Sequence, residues 1–168
     1  AELPCNVPGD GAYHAVLVSE LAARGGVRLV AVPREAPEVF RTLLVDSPLD
    51  AALLPGPVDV LVGEAEDRLD FLMTTSLPAT PPRGPLRVGL GVEQGVKVAR
   101  NARFVERTAG LLGGSLALEH RVEIEVANTL GRPVTVEVRE RVPIARADDA
   151  SVAVEVGAVE PPWRRWPG

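Results

Sequence analysis

The side chains best suited to chemistry in this chain are two histidines, His14 and His120. A histidine acts as a general base when a nucleophile and an orienting partner lie within hydrogen-bond reach. The available hydroxyl nucleophiles are Ser19, Ser47, Ser76, Ser115 and Ser151, and none lies in the Gly-x-Ser-x-Gly turn typical of one class of hydrolases. His120 alternates in phase with Val122 and Ile124, which indicates a partly buried strand histidine, and His14 allows the same interpretation. We therefore predict no catalytic residue.

Acidic side chains cluster in a second candidate region, which comprises Glu64, Glu66, Asp67 and Asp70. Paired carboxylates at a suitable separation hydrolyse glycosides, and grouped carboxylates bind cations. This cluster lacks the Asp-x-Asp-x-Asp-Gly order of a calcium loop, and the two histidines lack the close spacing of zinc ligands. Cys5 is the only cysteine, which excludes a cysteine metal cluster and an internal disulfide. We expect a solvated loop here, with no metal and no cofactor.

A group of four residues near the C-terminus brings aromatic and basic side chains together: Trp163, Arg164, Arg165 and Trp166. Arginine stacks on tryptophan through cation–π attraction, so this group could dock a protein partner. Alternatively, one tryptophan covers the end of the core and the rest of the tail frays. Both interpretations stay open, and we keep the four residues as the candidate partner contact.

The charge distribution argues against nucleic-acid binding. The net charge is −5; residues 1–84 carry 12 acidic and 6 basic side chains, and residues 85–168 carry 11 and 12. Neither half has the basic excess that phosphate neutralisation requires. No run of 18 apolar residues occurs, so we predict no membrane span. The chain begins with alanine, which indicates a processed protein or a fragment of a longer one.

The most regular pattern, between residues 119 and 146, predicts two paired strands. Uncharged side chains alternate with charged or polar ones in two runs, namely His120, Val122, Ile124 and Val126, then Val134, Val136 and Val138. A period of two places these side chains on a buried face and the charges in water. Residues 128–133, Asn-Thr-Leu-Gly-Arg-Pro, supply turn formers between the runs. This stretch therefore predicts an antiparallel hairpin.

Short strand-like segments separated by proline and glycine fill the rest of the chain. We predict strands at residues 13–21, 27–32, 38–45, 58–62, 70–73, 86–90 and 152–156, the first of which could instead be a short helix. Gly25-Gly26 and residues 91–95 read as turns, and residues 77–85, with four prolines, read as a linker. The order favours an all-β, antiparallel β-sandwich of immunoglobulin-like kind, or two small packed β-subdomains. The predicted halves are 1–84 and 85–168, which could form one continuous domain.

Five ordered segments carry a family resemblance. They read Leu-Val-Ala-Val-Pro at 29–33, Leu-Leu-Pro-Gly-Pro-Val at 53–58, Leu-Gly-Val-Glu-Gln-Gly-Val-Lys-Val at 90–98, Arg-Pro-Val-Thr-Val at 132–136 and Val-Pro-Ile at 142–144. In this order the chain, over residues 11–156, resembles the C-terminal domain of mucoidy inhibitor A-like bacterial proteins. That resemblance implies a domain of unknown function, with no established catalytic residues to transfer and a connection to exopolysaccharide control. It implies a bacterial protein without choosing between cytoplasm and envelope.

Two departures from the family bear on partners. Gly-Glu-Ala-Glu at residues 63–66 replaces an Asp-Gly turn, and the tryptophan-containing final strand is cut short near Trp163 or Trp166. A missing closing strand leaves a sheet edge open to a neighbour. We therefore predict a non-catalytic interaction module that binds a protein partner or self-associates by strand edges. The alternative is a carbohydrate-binding or hydrolytic envelope domain centred on a histidine or on the acidic cluster.

Overall fold

The computed structural model describes residues 6–65, 68–109, 115–145 and 151–165, and within these ranges it contains strands but no helix. The strands are β1 (Gly25–Ala31), β2 (Glu38–Asp46), β3 (Gly56–Ala65), β4 (Arg68–Leu77), β5 (Pro85–Ala109), β6 (Ser115–Asn128) and β7 (Val136–Val138). The all-β prediction is confirmed.

The strands form two sheets. The larger has the order β6-β5-β2-β1-β7, and the smaller is the β3–β4 ribbon, whose strand β4 contacts β5. Neighbouring strands are antiparallel except at one edge, where β7 runs parallel to β1 and Leu29 pairs with Val136. The larger sheet thus combines strands from both sides of position 84.

Strand β5 is the longest element and changes partner along its length. Its first part, from Pro85 to Lys97, pairs with β2, and its second part, from Val96 to Ala109, pairs with β6. The β2 register shifts twice near the change of partner, and Gly91 has a φ of 76°. An extra residue in one strand forms a bulge, which bends the strand and increases its twist. The strand can therefore leave β2 and continue as a ribbon with β6.

The core lies against the middle of the larger sheet. Its buried members are Ala31, Val39, Val96 and Val98, and the half-buried side chains packed on them are Leu29, Ile124, Leu130, Val134 and Val136. The connection from β6 to β7 closes this core, since the Thr129 backbone N–H and hydroxyl both donate to the Gly95 carbonyl, at 2.8 and 2.9 Å. The Asn128 side chain closes the turn by donating to the Arg132 carbonyl and accepting from the Leu130 N–H.

The hairpin predicted over residues 119–146 is wrong. Strand β6 pairs with β5 and strand β7 with β1, so the two runs lie at opposite ends of the five-strand order. The turn residues form a connection over the core instead. The alternation correctly identified the apolar side of each strand, but alternation carries no information about which strand is the partner.

Several smaller predictions also need correction. Residues 13–21 and 152–156 form no strand, and their side chains are mainly exposed. Gly25 and Gly26 belong to β1 and residues 91–95 to β5, so neither is a turn. The predicted linker is ordered by a bridge in which Leu53 and Thr80 exchange backbone hydrogen bonds of 2.9 and 3.0 Å. The proline content indicated an irregular segment, but the buried Thr80 shows that this segment packs against the rest of the chain and is not a free linker.

Candidate functional site

One face of the β5–β6 ribbon is apolar along most of its length. Residues directly opposite each other in an antiparallel pair share a face, so the register assigns each side chain to a side. Phe104 lies opposite His120, and Ala102 opposite Val122. We call this side the apolar ribbon face; beyond the core its apolar and aromatic members are Ala102, Phe104, Leu116, Leu118, His120, Val122, Ile124 and Val126, and Arg100, Glu106 and Thr108 lie on the same side.

The apolar ribbon face is continuous with the core but is largely uncovered. Val96 and Val98, on the same side of β5, are 1% and 6% exposed, whereas Phe104 is 63% exposed and Leu116 67%. Phe104 and His120 stack edge to face with their ring centroids 4.7 Å apart. Contiguous apolar surface of this kind on a monomer is typical of an interaction site.

The opposite side of the ribbon carries charge. Its titratable side chains are Lys97, Arg103, Arg107, Glu119, Arg121, Glu123 and Glu125. Arg107 lies 3.4 Å from Glu119, and Arg121 lies 3.0 Å from Glu123. These ion pairs are exposed, and such pairs contribute little to stability, so their members can accept further partners. The ribbon is thus amphipathic, with one side suited to water and the other to a covering surface.

Strand β6 also forms one edge of the larger sheet, since β5 is the one strand that pairs with it in the described part of the chain. An edge strand presents unpaired backbone N–H and C=O groups that can accept another strand. Natural proteins protect such edges with short strands, charged side chains, prolines or bulges, and β6 has charged side chains on one side only. Residues 115–128 form a long strand with no proline and an unbroken register against β5. The edge is therefore available for strand addition.

An ion pair marks the boundary between the covered and uncovered parts of the ribbon. Arg100 Nε donates to Glu140 Oε2 at 2.6 Å, and the two side chains are only 22% and 10% exposed. The second carboxylate oxygen of Glu140 accepts the Arg141 backbone N–H at 2.8 Å. Because Arg100 lies on the apolar ribbon face between Val98 and Ala102, this pair closes the end of the core where the apolar surface emerges.

A shallow depression of about 270 Å³ lies elsewhere on the larger sheet, across β1, β2, β5 and β7. Arg28, Arg87 and Arg139 line it together with Glu137, which lies 2.8 Å from Arg139 and 4.0 Å from Arg28. Glu137 thus partly neutralises the positive charge of these arginines. The depression offers no enclosed cavity in which a substrate could be desolvated.

The two histidines have different surroundings. His14 Nε2 lies 2.7 Å from Asp10 Oδ1 in an exposed, strand-free segment, and the contact is worth little in water. The hydrogen bond with His14, reinforced by the Ala12 N–H, lowers the pKa of Asp10 below its ordinary value. His120 lies on β6 against Phe104 and is exposed, so the expected partly buried strand histidine is on a strand but is not buried.

The other sequence-derived candidates are scattered. Asp70 lies on β4 and is exposed, while Glu66 and Asp67 lie outside the described residues. Trp163 is 43% exposed beside exposed Arg164 and Arg165, and Trp166 lies outside the described residues. Across the described part of the chain, no group of three His, Cys, Asp or Glu side chains is placed to hold a metal ion. The same part contains no helix long and apolar enough to cross a bilayer.

Sequence reasoning identified the apolar side of β6 but missed that it is the exposed surface of interest. The signal was present in the length of the pattern, since even-numbered positions of β6 are uncharged from Leu116 to Val126. The alternation of apolar and polar residues distinguishes the two sides of a strand, but it does not show whether another layer covers one of them.

Comparison with known proteins identifies the family to which the sequence is similar. The sequence model of a family described as a domain of unknown function, DUF4139, matches residues 3–162. No curated protein matches the chain significantly. No solved structure does so either.

Proposed function

We propose that this chain, which belongs to the DUF4139 family of domains of unknown function, is a non-catalytic module for protein–protein contact. The observation that carries the proposal is the apolar ribbon face, which leaves the core as a continuous surface and remains exposed at Phe104, Leu116 and Leu118. Burial of such a surface removes apolar area from water and supplies the main driving force for association.

The extent of exposed surface supports the same proposal. The accessible surface is 14200 Å², whereas a compact monomer of this length exposes about 8,000 Å². The β3–β4 ribbon contributes further exposed apolar side chains, among them Leu61, Leu69 and Phe71 at 50%, 51% and 63%. Part of the total belongs to the exposed strand-free segments at residues 6–24 and 151–165, and the exposed apolar side chains of the ribbons supply the surface suited to binding.

The described side chains that could do chemistry support a non-catalytic role. An active site needs a nucleophile, a base and an orienting group that converge in a site shielded from water. His14 is oriented by Asp10, but both belong to an exposed segment. His120 contacts an aromatic ring on an open ribbon face. Neither arrangement brings the required groups together in a cleft.

The biological setting rests on the resemblance to mucoidy inhibitor A-like proteins. We propose that the contact serves regulation of exopolysaccharide or of the cell envelope. In a strain that lacks the gene, exopolysaccharide yield should change, and the wild-type chain should restore it. A Phe104→Asp variant should fail to restore the yield, and an Arg103→Asp variant should succeed, since Arg103 lies on the charged side of the same strand.

A site-specific photo-cross-linker tests the contact itself. With the cross-linking residue at position 104 or 118, irradiation of native cells should yield an adduct of defined mass. The matched control at position 103 should yield none. Absence of an adduct at both apolar positions would overturn the proposed function, whatever the identity of the partner.

A further inference from the structure

We infer that the partner of the β6 edge is β6 of a second copy of this chain, in an antiparallel pairing centred on His120. This inference goes beyond the proposed function, because it concerns the β6 edge and leaves the apolar ribbon face open to its own partner. Its basis is the combination of a long edge strand without bulge or proline, an amphipathic ribbon and a charge order along β6 that is complementary to itself.

The amphipathic ribbon restricts the possible registers. Residues directly opposite each other across paired strands share a face of the sheet. Even-numbered residues of β6 lie on the apolar ribbon face and odd-numbered ones on the charged side. The apolar faces of two copies merge only when even-numbered residues oppose even-numbered ones, so the two-fold axis must pass through a residue position rather than between two positions. A shift of one residue would oppose apolar to charged side chains.

Charge complementarity selects the centre among the remaining registers. With His120 opposite His120, Arg121 of each copy lies opposite Glu119 of the other. Glu123 then lies opposite Ala117. Both pairs occur twice by symmetry, and no like charges are opposed. On the apolar side, Leu118 lies opposite Val122 and Leu116 opposite Ile124 of the second copy. Cross-strand pairs of both kinds stabilise a sheet.

Neighbouring centres fail this criterion. A centre at Arg121 opposes that arginine to itself and Glu119 to Glu123. A centre at Val122 opposes Glu119 to Glu125, and a centre at Glu119 opposes that glutamate to itself. Like charges directly opposed are destabilising. A centre at Leu118 opposes no like charges, but it places Glu119 opposite Ala117 and Arg121 opposite Ser115 and so forms no complementary pair. Among these centres, His120 is the one that joins opposite charges without opposing like ones.

The side chains that must form the new contacts are accessible. Arg121 is 73% exposed and Glu119 58% exposed, and each already takes part in an exposed ion pair within its own ribbon. A guanidinium carries five donors, so Arg121 can contact Glu119 of the second copy while it retains Glu123. The result is a four-stranded sheet, β5-β6-β6-β5, with a joined apolar surface on one side.

Complementary charge reversals test the register. Sedimentation equilibrium of the wild-type chain should show a monomer–dimer equilibrium. Arg121→Glu alone and Glu119→Arg alone should each weaken dimerisation by at least about tenfold, because each places two like-charge pairs in the interface. An equimolar mixture of the two variants should dimerise again, since every opposed pair then has opposite charges. Arg87→Glu, on the part of β5 that pairs with β2, should leave the dimerisation constant unchanged.

A cysteine cross-link tests the centre. In a Cys5→Ser background, His120→Cys should form a disulfide-linked dimer on mild oxidation, because only residues near the two-fold axis approach their own copy. Glu125→Cys, which lies far along the strand from the axis, should not. A wild-type chain that remains monomeric at high concentration would overturn the inference. So would two charge-reversal variants that both still dimerise, or a mixture that fails to recover.

The two proposals fail separately. If cellular cross-linking at position 118 yields an adduct with a different protein and none at twice the mass of the chain, the self-pairing is wrong while the proposed contact function stands. If no adduct forms at positions 104 and 118 and the purified chain is monomeric, both are wrong.

Discussion

The two halves of β5, up to Val98 and beyond it, both carry apolar side chains on one side but have opposite surroundings. At the end of the first half, Val96 and Val98 are buried in the core. In the second half, the same side of the strand carries Phe104, which is mostly exposed. The difference lies in what packs against each half: core side chains of β1, β2 and the β6–β7 connection cover the first, whereas the second pairs with β6 beyond the core. Apolar periodicity thus identifies a surface that needs a cover, and the cover must come from elsewhere.

The prediction with the largest expected effect on stability introduces one charge in each half of the strand. Val96→Asp should destabilise the chain by about 3–5 kcal/mol, because the new carboxylate would be buried without a partner. Phe104→Asp, at a position 63% exposed on the same side of the strand, should change the free energy of unfolding by less than about 1.5 kcal/mol. Urea denaturation followed by circular dichroism measures both. Equal decreases in the free energy of unfolding would show that the second half of the strand is also covered in solution.

A second test addresses the boundary between the halves, where Arg100 and Glu140 meet. Glu140→Ala should destabilise the chain by about 2–3 kcal/mol, since it leaves a largely buried guanidinium without its carboxylate. Asp50→Ala is the matched control. The Arg83–Asp50 pair has the same 2.6 Å distance but side chains 65% and 81% exposed, so its loss should be below about 1 kcal/mol. Similar losses in urea titrations would contradict the idea that Glu140 closes the core.

The smallest test concerns the segment of β5 near its change of partner. An ideal Cβ built on Gly95 would collide with the Leu130 side chain that packs over it, so Gly95→Ala should destabilise the chain by about 1–3 kcal/mol. Gly89 lies on the same strand with open space around its Cβ position, and Gly89→Ala should stay within about 0.5 kcal/mol of the wild type. Thermal unfolding under identical conditions compares them. If Gly95→Ala left the thermal stability unchanged, Leu130 would not pack over Gly95 in solution.

Much of the secondary structure could be predicted from the local residue pattern, but the partner of each strand could not. The predicted strands at residues 27–32 and 38–45 correspond closely to β1 and β2, because β-type runs there are bounded by turn formers. The predicted turn at 91–95 was wrong because glycines in a strand can mark a bulge as well as a turn. The hairpin over residues 119–146 was wrong because its runs pair with strands that are distant in sequence.

The candidate site was only half predictable for the same physical reason. The alternation around His120 predicted a side that avoids water, and the register against β5 confirms that the apolar residues share one side. Burial of that side was predicted and is largely wrong, since Val122 is 39% and Val126 46% exposed. Exposure depends on the amount of chain available to form a covering layer, which is a property of the whole fold rather than of the strand.

The parallel contact between β1 and β7 bears on the order in which the chain reaches its native state. Leu29 lies in the first strand and Val136 in the seventh, so five other strands are synthesised between the two partners. Contacts between such distant segments carry a large loop-closure cost and slow the search for the native state. On the ribosome, the β7 side of β1 therefore stays open to any other strand nearby until residues 136–138 have been synthesised.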